Sequence, residues 1–313
     1  MDEDKLRIIC GPTGSGKSAI AMQLAEAYDA AIVSADSRQI YCYFDIGTAK
    51  PTREECARVT HYGVDVAEPI ERYSAARWAS EADEWIESAA EIEKVPIVVG
   101  GTGLYIKALV EPLYQQHEVD PILRARLEQE LEEKNVSDLR RWCAQLDPAR
   151  AHLGRTQLLR AIETAVLSGA RISELHAEHR AALAKAALAR NSATRQPSYL
   201  LVDPGPSLAV RIEERVERML RSGWPDEVRE LIRTVPSDAP AWKASGYATI
   251  RDHIEGRLDL STARERIIIE TRQYAKRQRT WFRHQLPPAA VTPVNPEDSR
   301  ARAIVREWWE RAE

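Results

Sequence analysis

Short apolar runs alternate with longer helical patterns through the first hundred residues. Three runs are typical of buried strands: Leu6–Cys10, Ala30–Val33 and Val95–Val99. Between them, Ser18–Tyr28 and Ser74–Lys94 place apolar residues at the spacing of one helix face. The order strand, helix, strand, helix, strand is typical of a parallel sheet covered by helices. We therefore predict an α/β fold.

The pattern changes after Pro112, where the strand signals stop. Leucines recur every fourth residue from Leu123 to Leu131, and Ala177–Arg190 is rich in helix-forming residues. One further apolar run, Tyr199–Val202, would return the chain to the sheet. The predicted organisation is a core of residues 1–112 and 196–290, an all-helical insertion domain at 113–195, and a C-terminal tail at 291–313.

Composition places the chain among ordinary globular proteins. Of its 313 residues, 44% are hydrophobic and 29% are charged, with a net charge of −4, so a nucleic-acid partner would have to bind a local basic patch. The four cysteines have neither a C-x-x-C pair nor zinc-type spacing, which predicts reduced thiols. The start is unlike a signal peptide, and no apolar run approaches the ~20 residues of a membrane span. We expect a cytoplasmic monomer.

The segment GPTGSGKS, Gly11–Ser18, lies between the first predicted strand and the first predicted helix. In this pattern backbone N–H groups surround a phosphate at a helix N-terminus, which predicts a sheet of the P-loop NTPase type. Lys17 would reach the outer phosphate, and the Ser18 hydroxyl would hold Mg²⁺. The predicted diphosphate-binding residues are Gly11, Thr13, Gly14, Ser15, Gly16, Lys17 and Ser18.

Asp36 follows the second predicted strand, at the sheet edge that faces the ligand crevice. Its carboxylate could hold Mg²⁺, as in nucleotide hydrolases, or accept a proton from a nucleophile, and periodicity leaves both roles open. After the third strand, Gly100, Gly101 and Thr102 stand where a hydrolase often has an acid. Small residues leave room for a substrate, and a threonine hydroxyl can donate to a leaving phosphate oxygen. This favours group transfer.

Seven stretches of the sequence resemble the tRNA dimethylallyltransferases, also called tRNA isopentenyltransferases or the IPP transferase family. They are GPTGSGKS, SADSRQIY, DIGTAKP, YSAARW, VGGTGLYIKAL, RIEERVERML with GWPDEV, and TRQYAKRQRTWFR. Together they cover about 6–112 and 199–283. DIGTAKP and the last stretch are the most specific of the seven.

The resemblance implies that the loop binds the pyrophosphate of dimethylallyl diphosphate, and that the dimethylallyl group is transferred to N6 of the adenosine at position 37 of tRNA. It implies that Asp36 is the base acting on the adenine amino group. Thr102 and Arg215 would stabilise the leaving pyrophosphate, together with Lys17 and with Mg²⁺ at Ser18. The adenine must leave the anticodon-loop stack to reach such a site.

A basic stripe occupies the stretch from Glu270 to Arg283. The residues on one face of the predicted helix are Arg272, Lys276, Arg279 and Arg283. Such a stripe suits RNA phosphates, while Tyr274 and Trp281 on another face could pack inward or stack on bases. For the anticodon stem-loop, the resemblance implies contacts from Asp36, Ser37, Arg38, Gln39, Thr102, Gln157, Arg160, Lys276, Arg277, Gln278, Arg279 and Arg283.

One stretch departs from the family pattern. The family usually has an HPND-x-x-R box after DP-x-x-A, whereas LDPARAHLGRTQLLRAIE lacks the Asn-Asp pair and is shorter, although Arg160 remains. This region contacts tRNA in the family, so affinity or selectivity for tRNA is where we expect this chain to differ.

Three other functions are compatible with parts of the sequence. An adenylate isopentenyltransferase would use free AMP, ADP or ATP as acceptor, but the helical insertion and the retained KRQRTWFR favour tRNA. A small-molecule P-loop kinase would bind ATP, and the absence of an acid after PIVVGG argues against it. An RNA-binding protein with a vestigial loop is disfavoured by the intact Lys17, Ser18, Asp36 and Thr102.

Overall fold

Six parallel strands form one sheet in this computed structural model, which describes residues 5–111, 121–178 and 196–311. The strands are β1 (Lys5–Cys10), β2 (Ala30–Ser34), β3 (His61–Tyr62), β4 (Val95–Gly100), β5 (Gln196–Val202) and β6 (Val291–Val294). Their order across the sheet is β3-β2-β4-β1-β5-β6, so β1 is central and pairs with β4 and β5. The predicted α/β fold with a parallel sheet is confirmed.

The central strands are buried on both faces, which explains their unbroken apolar runs. Ile8 packs on one face of the sheet in a cluster that includes Trp78, and the neighbouring Ile9 packs on the other face in a cluster that includes Trp309. Successive strand residues point to opposite faces, so each apolar run supplies both layers of the core.

Helices surround this sheet. In chain order they are α1 (Lys17–Ala27), α2 (Arg53–Arg58), α3 (Ala75–Glu91), α4 (Gly103–Val110), α5 (Pro121–Glu132), α6 (Val136–Leu146), α7 (Arg155–Ser168), α8 (172–178), α9 (Leu208–Arg221), α10 (Trp224–Thr234), α11 (Tyr247–Ile254), α12 (Leu260–Gln285) and α13 (Ala301–Arg311). Short 3₁₀ turns lie at Pro148–Arg150, Gly205–Ser207, Pro240–Lys243 and Pro288–Ala290. Within the described ranges, no helix is both long and apolar enough to cross a membrane.

The chain divides into two compact units, Met1–Pro112 with Thr194–Glu313, and Leu113–Ala193. The second unit is helical throughout 121–178, apart from its connections. Its core includes Leu127 and Leu131 of the predicted four-residue repeat, packed with Leu139 and Leu158. Most of the helix predicted at Ala177–Arg190 lies outside the described residues.

The prediction of a separate tail at 291–313 is wrong for its described part. β6 pairs in parallel with β5 at the sheet edge, where its proline needs no ladder partner on the open side. On α13, Trp308 and Trp309 are buried in the core, and Trp309 stacks on Tyr28 with ring centroids 4.7 Å apart. The four residues of β6 and the adjacent pair Trp308 and Trp309 form patterns too short to be identified as core from the sequence.

Candidate active site

The loop Gly11–Gly16 joins the carboxyl end of β1 to the start of α1. Gly14 and Gly16 have φ angles of 78° and 95°, in the left-handed region that glycine adopts without strain. Gly16 caps α1 without a side-chain acceptor, so it does not occupy the first N–H groups of the helix. Such N–H groups, together with the helix dipole, favour a bound anion.

Lys17, the first residue of α1, reaches back over this loop. Its Nζ donates a hydrogen bond to the carbonyl oxygen of Pro12 at 3.3 Å. Burial lowers the pKa of Lys17 to about 8; the Asp36 carboxylate opposes that shift and Arg215 adds to it. An ammonium has three donors, so Lys17 has donors to spare for an anion, which would in turn favour the charged form.

Thr102 ties together the segments that follow β2 and β4. Its backbone N–H donates to the carbonyl of Ala35 at 3.1 Å, and its Oγ1 accepts from the N–H of Ser37 at 3.0 Å. Asp36 lies between these two partners, and its Oδ1 accepts from the N–H of Arg38 at 2.9 Å. Three residues predicted from two separate motifs, Asp36, Ser37 and Thr102, are therefore neighbours.

Asp36 lines a pocket together with Lys17 and Arg215. Arg215 lies on α9, where burial lowers its pKa and the charge of Asp36 raises it. The Asp36 charge acts on both cations, so all three groups lie within Coulombic range. Two half-buried cations near one carboxylate leave an excess of positive charge, which suits an anionic ligand.

The lining of this pocket combines polar and apolar side chains. The polar lining includes Thr13, Lys17, Asp36, Arg38 and Arg215, and the apolar lining includes Val216, Met219, Trp224, Ala244 and Ile267. A site of this kind fits a ligand with an anionic head and a short hydrocarbon group.

Tyr274 of α12 also lines the pocket, with its side chain close to that of Thr102. Burial, reinforced by the charge of Asp36, raises the pKa of Tyr274 to about 12. The phenol therefore stays protonated at neutral pH and cannot act as a base.

A second cavity shares Arg38, Ser245 and Tyr274 with the first, and we call it the charged mouth. Two further basic residues, Lys243 and Arg277, line this mouth opposite one acid, Glu270. Lys243 was not predicted from the sequence. It ends a short 3₁₀ turn, and no motif in the sequence distinguishes it from other surface lysines.

Two predicted RNA-binding glutamines have internal roles instead. Gln278 is 7% exposed; its Oε1 accepts from the N–H of Thr13 and its Nε2 donates to the carbonyl of Gly101, both at 2.8 Å. Gln39 accepts from the Ser34 hydroxyl at 2.9 Å and donates to the carbonyl of Ala49 at 2.8 Å. These amides hold the site together, and their predicted contacts with tRNA stay predictions.

Arg279, another predicted tRNA contact, is paired within the protein. Its guanidinium pairs with the carboxylate of Asp203, with one contact of 2.9 Å, and donates to the carbonyl of Gly205 at 2.6 Å. Arg272, on the same predicted stripe, pairs with Glu213. The stripe is therefore partly neutralised within the protein.

The other predicted RNA contacts are accessible. Lys276, Arg277 and Arg283 are exposed on α12. In the second unit Gln157 and Arg160 are exposed on α7, and the Gln157 side chain also accepts from the N–H of Gly154 at 3.3 Å. These residues can meet a ligand without losing a partner from the core.

The residues at the loop fit a magnesium ion that arrives with a diphosphate. Ser18 is exposed one residue after Lys17, so its hydroxyl is available. Among the described residues there is no group of three or more His, Cys, Asp or Glu side chains that could hold a metal. Mg²⁺ bound to substrate phosphates usually keeps several waters and takes only one or two protein ligands, so a single hydroxyl is compatible with it.

Comparisons with known proteins place these features in a wider group. A family model described as IPP transferase matches residues 39–285, and one described as isopentenyl transferase matches residues 4–70. A tRNA dimethylallyltransferase of Cyanothece sp. is 37% identical over 302 residues, which covers 94% of this chain and 93% of the relative.

Two solved structures resemble this one over 99% of the chain. The tRNA isopentenylpyrophosphate transferase from Bacillus halodurans has a TM-score of 0.68 at 28% identity, with 96% of that chain covered. A eukaryotic dimethylallyltransferase acting on tRNA has a TM-score of 0.76 with 80% of that chain covered, and at 23% identity it shows the fold alone.

Proposed function

The chain belongs to the IPP transferase family, and we propose that it transfers the dimethylallyl group of dimethylallyl diphosphate to N6 of the adenosine at position 37 of tRNA. The observation that carries this proposal is the meeting of Lys17, Asp36 and Arg215 in one pocket with apolar side chains such as Val216, Met219 and Trp224. Such a pocket holds a diphosphate and a short prenyl chain side by side.

The reaction requires one bond to break and one to form. The C1–O bond of the donor breaks and the diphosphate leaves with the bonding electron pair, while N6 of adenine bonds to C1 and loses one proton. Lys17, Arg215 and the N–H groups of the loop neutralise the charge that develops on the diphosphate. Buried cations contribute more to this than exposed ones, because water screens them less.

Asp36 is the proton acceptor in this proposal. It is the one carboxylate among the described residues that line the pocket. The exocyclic amine of adenine is a poor nucleophile, so a carboxylate that accepts its proton accelerates attack. The N–H of Arg38 already fixes Asp36 Oδ1, which orients the carboxylate for that task.

Magnesium is proposed as the cofactor, with the Ser18 hydroxyl and the substrate's diphosphate oxygens as its ligands. When bound, it supplies further positive charge to the leaving group. Thr102, whose Oγ1 accepts from the N–H of Ser37 next to Asp36, is proposed as a further group that stabilises the leaving diphosphate.

The charged mouth is the proposed entry for the flipped adenosine. Arg38, Lys243 and Arg277 would contact phosphates around it, and the Tyr274 ring offers a stacking surface. Lys276 and Arg283 on α12, and Gln157 and Arg160 in the second unit, are proposed as further tRNA contacts. A monomeric state and a cytoplasmic location stay predictions.

A transfer assay tests the proposal. The enzyme receives labelled dimethylallyl diphosphate, Mg²⁺ and one of two anticodon stem-loops, with adenosine or guanosine at position 37. We expect label only in the adenosine-containing RNA. Equal labelling of both RNAs, or label in neither, would contradict the proposed acceptor.

A further inference from the structure

Helix α9 runs along the pocket from the phosphate loop towards the apolar end. At its start, Leu208 and Ile212 lie against Gly14 of the loop. Arg215 follows in the polar part, and Met219 lines the apolar part four residues later. Val216, next to Arg215, is also apolar lining; since four residues advance a helix by about 6 Å, the apolar lining on α9 extends from beside Arg215 to about one turn beyond it.

Trp224, the first residue of α10, lines the same pocket as Met219. The side chain is 1% exposed. Gly47 and Gly246 both contact its ring so closely that a Cβ atom at either position would overlap it. The ring also meets Tyr247 edge-on, with centroids 5.4 Å apart. The indole is therefore held between two backbone segments and has no room to withdraw.

The segment behind the indole is itself anchored. The Glu227 carboxylate accepts from the N–H of Ile46 at 2.8 Å and from the Tyr247 hydroxyl at 2.6 Å, and that hydroxyl accepts from the N–H of Gly47 at 3.0 Å. Three hydrogen bonds thus fix the backbone on which the ring rests. Buried networks with this many partners resist displacement.

We propose that Trp224 is the residue that limits the prenyl donor to five carbons, by closing the apolar end of the pocket; this inference rests on the proposed function. The main chain of a dimethylallyl group has three carbon–carbon bonds, roughly 4 Å when extended, while that of a geranyl group has seven, roughly 9 Å. The shorter chain fits the turn between Arg215 and Met219. The longer chain would need the space of the indole ring.

Dimethylallyl diphosphate and geranyl diphosphate differ only in the length of the hydrocarbon chain. Geranyl diphosphate has the same allylic C1–O bond, the same leaving group and the same attacking amine. Any difference in transfer between the two donors therefore reports on the pocket and not on the chemistry. Removal of the ring should create space for the longer chain, as large-to-small substitutions in packed sites leave cavities.

The test compares Trp224→Ala and Trp224→Leu with the unaltered enzyme, using dimethylallyl and geranyl diphosphate with the same tRNA. Products are identified by the mass of the modified nucleoside. We expect both variants to gain geranyl transfer, and the ratio of kcat/KM for the two donors to shift by about tenfold or more towards geranyl. The indole Nε1 has no hydrogen-bond partner among the described residues, so leucine leaves no polar group unpaired.

Trp308→Leu is the matched control. Trp308 is 2% exposed, its Nε1 likewise has no partner in the described part of the chain, and it belongs to the cluster on the other face of the sheet. We expect this variant to lose stability without any change in donor preference. A similar change of preference in the control would assign the effect to general loosening and overturn the proposal.

A second pair of variants tests the contact between Gly47 and the Trp224 ring. Gly47→Ala should push the indole into the pocket and raise the KM for dimethylallyl diphosphate. In a Trp224→Ala background the same substitution should have little effect, because the added methyl group has room. Independent effects of the two substitutions would contradict the proposed role.

The outcomes separate the two proposals. If the unaltered enzyme transfers no dimethylallyl group to tRNA, the proposed function is wrong. If it does, and the Trp224 variants keep dimethylallyl transfer with unchanged preference, only the chain-length role is wrong. Should the alanine variant not fold, the leucine variant decides.

Discussion

At the residue scale, the site depends on two half-buried cations held near one carboxylate. Lys17 and Arg215 both have pKa values lowered by burial, and the Asp36 charge offsets part of that shift in each. A bound diphosphate would supply the missing negative charge. Donor binding and charge on Lys17 should therefore be coupled.

This coupling predicts an alkaline loss of donor affinity. Below about pH 8 the Lys17 ammonium is charged; as the pH rises through that value it loses its proton, and kcat/KM for the donor should fall. In Lys17→Arg the guanidinium stays protonated, so the fall should move to higher pH whatever the absolute rate. The measurement is kcat/KM for dimethylallyl diphosphate against pH. Superimposable profiles would show that another group titrates.

Asp36→Asn tests the proton acceptor. The amide keeps the size of the side chain and can still accept from the N–H of Arg38, but it cannot take a proton. We expect kcat to fall by roughly 10²–10⁴-fold, with donor and tRNA dissociation constants little changed. Glu87→Gln, an exposed acid on α3, is the control. Near-normal turnover of Asp36→Asn would remove this residue from the mechanism.

Several positions in the fold could be predicted from local sequence, and several side-chain contacts could not. Gly11–Ser18 and Asp36 were located correctly because a strand, a loop and a helix in immediate succession determine their positions. The partners of Gln278 and Arg279 are Thr13 and Asp203, 265 and 76 residues away in sequence. Spacing along the chain carries no information about such pairs, so both side chains looked available for RNA.

At the element scale, α12 joins three parts of the site. Gln278 contacts the phosphate loop, Tyr274 borders the pocket, and Lys276 and Arg283 are exposed. The periodicity of the sequence predicted this helix and its basic face. It could not predict that Asp203 and Glu213, from other elements, neutralise part of that face.

The paired and unpaired arginines of α12 should behave differently. Arg279→Ala removes a paired guanidinium that links α12 to Asp203 and Gly205, and should lower the free energy of unfolding by about 1–3 kcal/mol. Arg283→Ala should change it by less than about 0.5 kcal/mol and instead raise the KM for tRNA. Chemical denaturation and steady-state kinetics measure the two effects. An Arg279→Ala protein of normal stability with weakened tRNA binding would restore the original prediction.

Salt dependence distinguishes phosphate contacts from internal pairs. Each of Lys276→Ala and Arg283→Ala should reduce the slope of log affinity for tRNA against log salt by roughly 0.7–0.9. Arg272→Ala is the matched control on the same helix, since Arg272 already pairs with Glu213. Equal slopes for all three variants would show that α12 does not contact the RNA backbone in this way.

At the scale of the whole molecule, β6 and α13 complete the unit that contains the sheet, Met1–Pro112 with Thr194–Glu313. β6 forms one edge of the sheet, and α13 buries Trp308 and Trp309 against the cluster that contains Ile9 and Leu200. The alternation of strands and helices in the sequence predicted the fold class. It did not predict this last strand, because four residues with a proline give too short a signal.

Removal of residues 291–313 should therefore unfold the unit that contains the sheet. Removal of a separate tail would leave that unit folded. The deletion exposes buried apolar surface of β1 and β5, each large side chain being worth about 1.5–3 kcal/mol. Thermal unfolding compares this deletion with a chain that ends at Arg311. An unchanged melting temperature would mean that β6 and α13 add nothing to the core.

The most direct test is a transfer assay with labelled dimethylallyl diphosphate as donor and Mg²⁺ present. The acceptor is unmodified tRNA in one reaction and AMP in another. We predict label in tRNA alone, despite the shortened segment around Arg160. Label in AMP alone would identify an adenylate isopentenyltransferase and make the basic face of α12 an ordinary surface. Label in neither would contradict the central claim that this site transfers a prenyl group to adenosine.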